Sequence, residues 1–136
     1  TRAEIYHSDL LSNVSLNRFD IITANLPYIG NEQGLSPNVE KYEPSSALFG
    51  GDSVVSDDIR GDGLGLYKKL AQQMFDKGFD FDIFIGEFGY GQKDAILELL
   101  NKIFVQDYSA KYGVSFEVFV KNDLASIPRI FVVRKK

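Results

Sequence analysis

Two apolar runs near the end of the chain, Val114–Val120 (V-S-F-E-V-F-V) and Arg129–Arg134 (R-I-F-V-V-R), are separated only by the eight residues Lys121–Pro128. A crossover between parallel strands takes about a dozen residues or more, usually a helix, so this pair can close only as an antiparallel hairpin. Upstream the pattern is different. Phe19–Ala24 (F-D-I-I-T-A) and Phe79–Glu87 (F-D-F-D-I-F-I-G-E) are short, near-continuous apolar runs. Between them, apolar residues at 64, 66, 67, 70, 71, 74 and 75 mark a helix face with Gly78 as its stop. After Gly89-Tyr90-Gly91, the residues Ala95, Ile96, Leu99, Leu100, Ile103 and Phe104 repeat at helical spacing. Ala3–His7 (A-E-I-Y-H) reads as one more short strand, ending at Ser8–Asp9. Strands alternating with helices predict an α/β fold, a mostly parallel sheet covered on both faces and finished by an antiparallel hairpin.

Composition closes off several functions. With no Cys and one His, a thiolate metal site, a disulfide framework, a Cys nucleophile and a His-rich metal centre are excluded, and no metal is expected. No apolar run reaches the roughly 20 residues of a membrane helix. The net charge of −4 argues against a surface built for phosphate backbones. The acidity is local, because residues 31–66 carry seven acidic side chains against Lys41 and Arg60. That stretch is rich in Gly, Ser and Pro and reads as a long loop between Gly30 and Gly63, a length associated with function or disorder.

Ligands of open α/β sheets bind outside the carboxyl ends of the strands. Three such ends carry polar residues here: Asp9, Asn25 and Glu87. The sharpest is Asn25-Leu26-Pro27-Tyr28. The Asn25 side chain offers an acceptor oxygen and two donor hydrogens. Pro27 biases Leu26 toward an extended conformation and thereby directs its carbonyl. Tyr28 adds a flat face. Two converging acceptors and an aromatic plane suit a planar NH2 group, although an ordinary Asn-containing turn stays open on these four residues alone.

F-D-I-I-T-A-N-L-P-Y resembles the (D/N/S)-P-P-(Y/F/W) motif of methyltransferases that act on a nitrogen attached to a planar group. Leu26 departs from the usual Pro, but that position contributes a backbone carbonyl, which Leu retains. The following elements resemble the release-factor glutamine N5-methyltransferase family in order: Glu43-Pro44-x-x-Ala47-Leu48-Phe49-Gly50-Gly51, Asp62-Gly63-Leu64-x-x-Tyr67, Glu87-x-Gly89-x-x-Gln92 and Asp123-Leu124-x-x-Ile127-x-Arg129. Asp52–Arg60 departs as an acidic insertion.

The resemblance implies a partial class I, Rossmann-like methyltransferase sheet that lacks its first two strands. Residues 1–136 would be the C-terminal part of a domain dependent on S-adenosylmethionine (SAM), with on the order of 60 or more further residues upstream, at ~30 per strand–helix unit. It implies that Asn25, Leu26, Pro27 and Tyr28 form the catalytic turn, with Asn25, Tyr28, Glu43, Pro44 and Ala47 facing the substrate. Asp9 and Asn25 would border the cofactor, which is held mainly by the upstream part; a turn or capping role for Asp9 stays open. The implied substrate is the Gln of the Gly-Gly-Gln loop of a class I peptide-chain release factor, in the cytoplasm, with no membrane and no nucleic-acid partner. An adenine N-methyltransferase of RNA or DNA and an inactive isolated fragment are the alternatives. A permuted cofactor turn at Gly89–Gly91 is the weakest reading, since too little chain follows it.

The family's strand order places the four strands as Phe19–Ala24, Phe79–Glu87, Arg129–Arg134, Val114–Val120. Phe19–Ala24 would then be an apolar edge in need of cover. The cover would be Ala3–His7 folding in, a second copy of the chain, or a chain carrying the missing half.

Overall fold

The computed structural model describes residues 3–28 and 62–136. Four strands form one sheet: β1 (Arg18–Ala24), β2 (Asp80–Glu87), β3 (Phe116–Asn122) and β4 (Pro128–Lys135), in the spatial order β1-β2-β4-β3. β1 and β2 run parallel, while β4 is antiparallel to both β2 and β3. This is the expected order. The hairpin is tighter than its apolar pattern suggests, because β3 runs on to Asn122 and β4 starts at Pro128, and at its far end β3 begins at Phe116 rather than Val114. The Val114 carbonyl is occupied by the Ser109 hydroxyl at 2.6 Å, so the chain enters the ladder two residues later. At the tip, Asp123 Oδ1 accepts the backbone N–H groups of Ala125 (2.8 Å) and Ile127 (2.9 Å).

Helix α1 (Gly65–Lys77) joins β1 to β2 and ends as its spacing predicts, at Gly78 in the left-handed region. The second helical stretch is not uniform. α2 (Lys93–Leu100) runs into a π-helical segment, Asn101–Tyr108, and then into the single turn α3 (Ser109–Tyr112). Ile96, Leu100, Phe104 and Tyr108, four residues apart, are all buried. A strict fourfold repeat drifts around a 3.6-residue helix, and the wider turns bring those side chains back onto one line.

The helices and the sheet share one core. Phe81 stacks on Phe116 (4.8 Å between ring centroids) and meets Phe84, Phe104 and Tyr108 edge-on. By register, Ile22, Phe84, Val133 and Val118 form one cross-strand row, and Ala24, Gly86, Phe131 and Val120 the next; all but Gly86 belong to this core. The alternate positions point to the opposite face. There Ile21, Ile83, Ile85 and Phe119 lie outside the core cluster, and Ile21 is 58% exposed. The expected cover of the second face lies outside the described residues. Among the described residues, the helical cover lies on one face.

Ala3–His7 is corrected. It forms no strand, and Ile5 stands 96% exposed. A strand needs a ladder partner, and among the described residues none pairs with Ala3–His7. What is fixed is the turn that follows. Gln73 accepts from Leu11 N (2.9 Å), and Lys77 Nζ donates to the carbonyls of Ser12 (2.9 Å) and Val14 (3.3 Å). A polar edge of α1 thus holds residues 9–14, and among the described residues the outer edge of β1 has no ladder partner.

Gly86 marks the tightest place in the sheet. A Cβ there would lie 2.4 Å from Phe131 Cζ, and Phe131 is fully buried against Phe84 and Tyr67. Gly86→Ala should lower stability by about 1–3 kcal/mol through overpacking, read as a lower urea midpoint. Phe131→Leu in the same protein should return part of that loss.

Candidate active site

The carboxyl ends of β1 and β2 finish level with each other, Ala24 opposite Gly86. Tyr67, from the first turn of α1, reaches under both. Its ring is buried and edge-on to Phe131. Its hydroxyl accepts from Leu26 N at 3.3 Å, and its proton faces the carbonyl oxygens of Ala24 (3.2 Å) and Glu87. Burial above all pushes the Tyr67 hydroxyl up to about 12, so it remains a neutral donor.

Tyr28 is held at both ends. Its phenol donates to Glu87 Oε1 at 3.0 Å, and its carbonyl accepts from Gln92 Nε2 at 2.7 Å. Burial first, and then the bond to Glu87, raise the Tyr28 phenol above its ordinary value. Gln92 is a buried side chain. Its second Nε2 bond goes to the Asp62 carbonyl, and its oxygen accepts from Gly89 N at 2.6 Å. Gly63, at φ +75°, is required there, because a Cβ would fall 2.1 Å from the Tyr28 carbonyl oxygen.

This turn therefore has Leu26 N, Tyr28 O and the Tyr28 hydroxyl fixed. Among the described residues, neither the exposed Asn25 side chain nor the Leu26 carbonyl is engaged in a hydrogen bond. The Asn25 side chain and the Leu26 carbonyl are thus left without an internal partner in a turn that is held at three other points.

Asn25, Leu26, Pro27, Tyr28 and Glu87 are thus brought together at one end of the sheet. Asp9 is held elsewhere. Its carboxylate pairs with Lys69 Nζ at 2.5 Å. Lys69 follows Tyr67 by two residues, which places Asp9 about 3 Å farther along α1 and around to another side of the helix. Glu43, Pro44 and Ala47, the long loop and the Asp52–Arg60 insertion lie outside the described residues. Tyr67 and Gln92 went unassigned in the sequence. Tyr67 sits at a core-facing helical position, where spacing reports burial and not the polar atom at the tip, and Gln92 precedes the first turn of α2, outside its apolar repeat. The only signal was their recurrence in the Asp62-Gly63-Leu64-x-x-Tyr67 and Glu87-x-Gly89-x-x-Gln92 patterns.

A buried phenol with a raised pKa stabilises the fold fully below its unfolded value near 10 and loses that contribution as pH climbs through the folded value. Stability should accordingly fall between about pH 10 and pH 12. Tyr108, also raised by burial, adds to the slope. Tyr67→Phe should cost about 1–3 kcal/mol at neutral pH by orphaning Leu26 N and the two carbonyls. It should also flatten the alkaline slope, as read by urea unfolding across that range.

No family model matches the chain. Curated relatives do. A release factor glutamine methyltransferase of Clostridium botulinum is 33% identical over 138 residues, covering 98% of this chain and 42% of the relative. One from Koribacter versatilis is 31% identical over 137 residues, again 98% of this chain and 41% of the relative. One from Bacillus cereus is 34% identical over 103 residues, 73% of this chain and 33% of the relative. The chain spans about two fifths of the length of the first of these relatives. With near-complete coverage of its own length and the motif elements in family order, the chain belongs to the release factor glutamine methyltransferase family, as a C-terminal part of it.

Proposed function

We propose that the Asn25–Tyr28 turn receives the side-chain amide of the glutamine in the Gly-Gly-Gln loop of a class I release factor, for methyl transfer from SAM to the amide nitrogen. The supporting observation is the pinned turn, which leaves the Asn25 oxygen and the Leu26 carbonyl as acceptors beside the Tyr28 ring. An amide nitrogen is a poor nucleophile because its lone pair is delocalised into the carbonyl. Two acceptors on its hydrogens hold it in line and stabilise the positive charge that grows on it. Tyr28, fixed through Glu87, supports the flat side of the amide, and Pro27 directs the Leu26 carbonyl. Glu43, Pro44 and Ala47 would close over the substrate side.

The donor supplies an already activated methyl group, so no strong base is required. The described residues do not make a cradle for it. The turn after β2 is filled from within, since a Cβ on Gly89 would lie 2.8 Å from Gln92 Oε1 and 3.0 Å from Tyr28 Cδ2. Asp9, the other residue assigned to the cofactor side, is paired with Lys69. In this reading the cradle belongs to the part of the relatives' length that the chain does not span. A strand of that part pairs with the open edge of β1, and its helices cover Ile21, Ile83 and Ile85. Such an enzyme would work in the cytoplasm, where release factors act. No described helix is long and apolar enough to cross a membrane.

In the intact enzyme, Asn25→Ala should abolish methylation of the Gly-Gly-Gln peptide, measured by mass spectrometry, with SAM affinity changed less than about threefold. Unmethylated glutamine alongside methylated adenine in RNA would replace this reading with a nucleic-acid one. The 136-residue chain by itself should show no measurable SAM binding in calorimetry. Micromolar binding would place the cofactor site among the residues described here.

A further inference from the structure

We propose that Gln92 is a positioning residue for the transfer site, setting the acceptor turn through its side-chain amide. The inference rests on the reading that Asn25–Tyr28 receives the acceptor group. Gln92 is 6% exposed and is the one buried polar side chain among the described residues. Three of its four hydrogen-bonding capacities go to three separate pieces of backbone: Gly89 N after β2, Tyr28 O after β1 and Asp62 O before α1. Each of these bonds runs to a main-chain group, so Gln92 fixes the path of the backbone rather than the pose of another side chain.

The geometry makes the effect on Leu26 direct. Leu26 N is fixed by Tyr67, and Tyr28 O by Gln92. The Leu26 carbonyl lies between these two anchors and is followed by Pro27, whose φ is locked by its ring. With both sides held, the carbonyl has one direction to point. Without the Gln92 bond, the Tyr28 peptide can rotate and the Leu26 carbonyl with it. Only an amide satisfies all three partners, because two backbone oxygens require two hydrogens from one nitrogen while the same group accepts from an N–H.

That requirement yields a test with a readout beyond simple loss. In Gln92→Glu the introduced carboxylate would face the carbonyls of Tyr28 and Asp62 with no hydrogen to offer. Among the described residues, the acidic side chains bonded into this cluster are Asp62, which accepts from Leu64 N, and Glu87, which accepts from the Tyr28 phenol. The cation acting on Tyr28 is Arg129, which is itself within 3.8 Å of Asp123. Burial and the facing carbonyls raise the pKa of the introduced acid. Its protonated form regains one donor at low pH, and that donor is lost as pH rises.

The experiment compares wild type, Gln92→Glu and Gln92→Met in the intact enzyme, measuring kcat and KM for a Gly-Gly-Gln peptide from pH 6 to 9. Backbone hydrogen exchange over residues 24–28 and at Gly89 is followed in parallel. Both variants should lose about 10- to 100-fold in kcat near pH 8, a loss of alignment, with the KM for SAM unchanged. Gln92→Glu should recover at least part of that loss toward pH 6, with slowed exchange over 24–28, whereas Gln92→Met should not. Wild-type kcat in either variant would overturn the proposal. So would parallel, pH-independent losses in kcat and melting temperature with no exchange change confined to 24–28. If the wild type itself leaves the peptide glutamine unmethylated, the functional reading fails, and the exchange data still decide whether Gln92 sets the turn.

Discussion

Two parallel strands that stop at the same level leave backbone groups beyond the ladder with no partner, and the site depends on how those groups are satisfied. Here a single phenol meets most of the requirement. Tyr67 is anchored by its buried ring and uses its hydroxyl to tie together the ends of β1 and β2 and the first amide of the turn that follows. A buried hydroxyl with partners on all sides has a preferred position, and the turn inherits it. Glu87 and Gln92 then fix Tyr28 from the phenol and the carbonyl end. The reactive geometry is therefore built from the core outward, by side chains whose apolar parts pack and whose polar tips stop at the surface.

This division explains what the sequence could reveal. The strands and the C-terminal hairpin were legible from apolar runs and an eight-residue gap too short for a crossover, whereas their spatial order was legible only through the family resemblance. The end of α1 was legible because Gly78 takes the left-handed conformation that stops a helix. The π-helical segment was not, since a repeat at 96, 100, 104 and 108 reads as helical whatever the width of the turn. Ala3–His7 has a strand's composition without a strand's neighbour, and pairing is not a local property. At the site, the turn at Asn25–Tyr28 was visible as a motif, while the supporting contacts of Tyr67 were hidden behind core-like spacing and Gln92 lies outside the apolar repeat of α2.

The sheet is asymmetric in a way that bears on the family assignment. One face is closed by α1, α2 and the π segment around a cluster of aromatic rings, and the other shows a row of aliphatic residues half open to solvent. Among the described residues, the outer edge of β1 has no ladder partner.

The clasp at Gln92 also bears on the stretch of chain that it closes. One nitrogen holds Tyr28 and Asp62, residues 34 positions apart, so both ends of the intervening stretch are fixed at a single point. The entropy of closing a connection between fixed ends grows only with the logarithm of its length. On that scale nine residues, the length of 52–60, add about 0.3 kcal/mol. A change of length between these two ends therefore costs little stability, provided the clasp is kept.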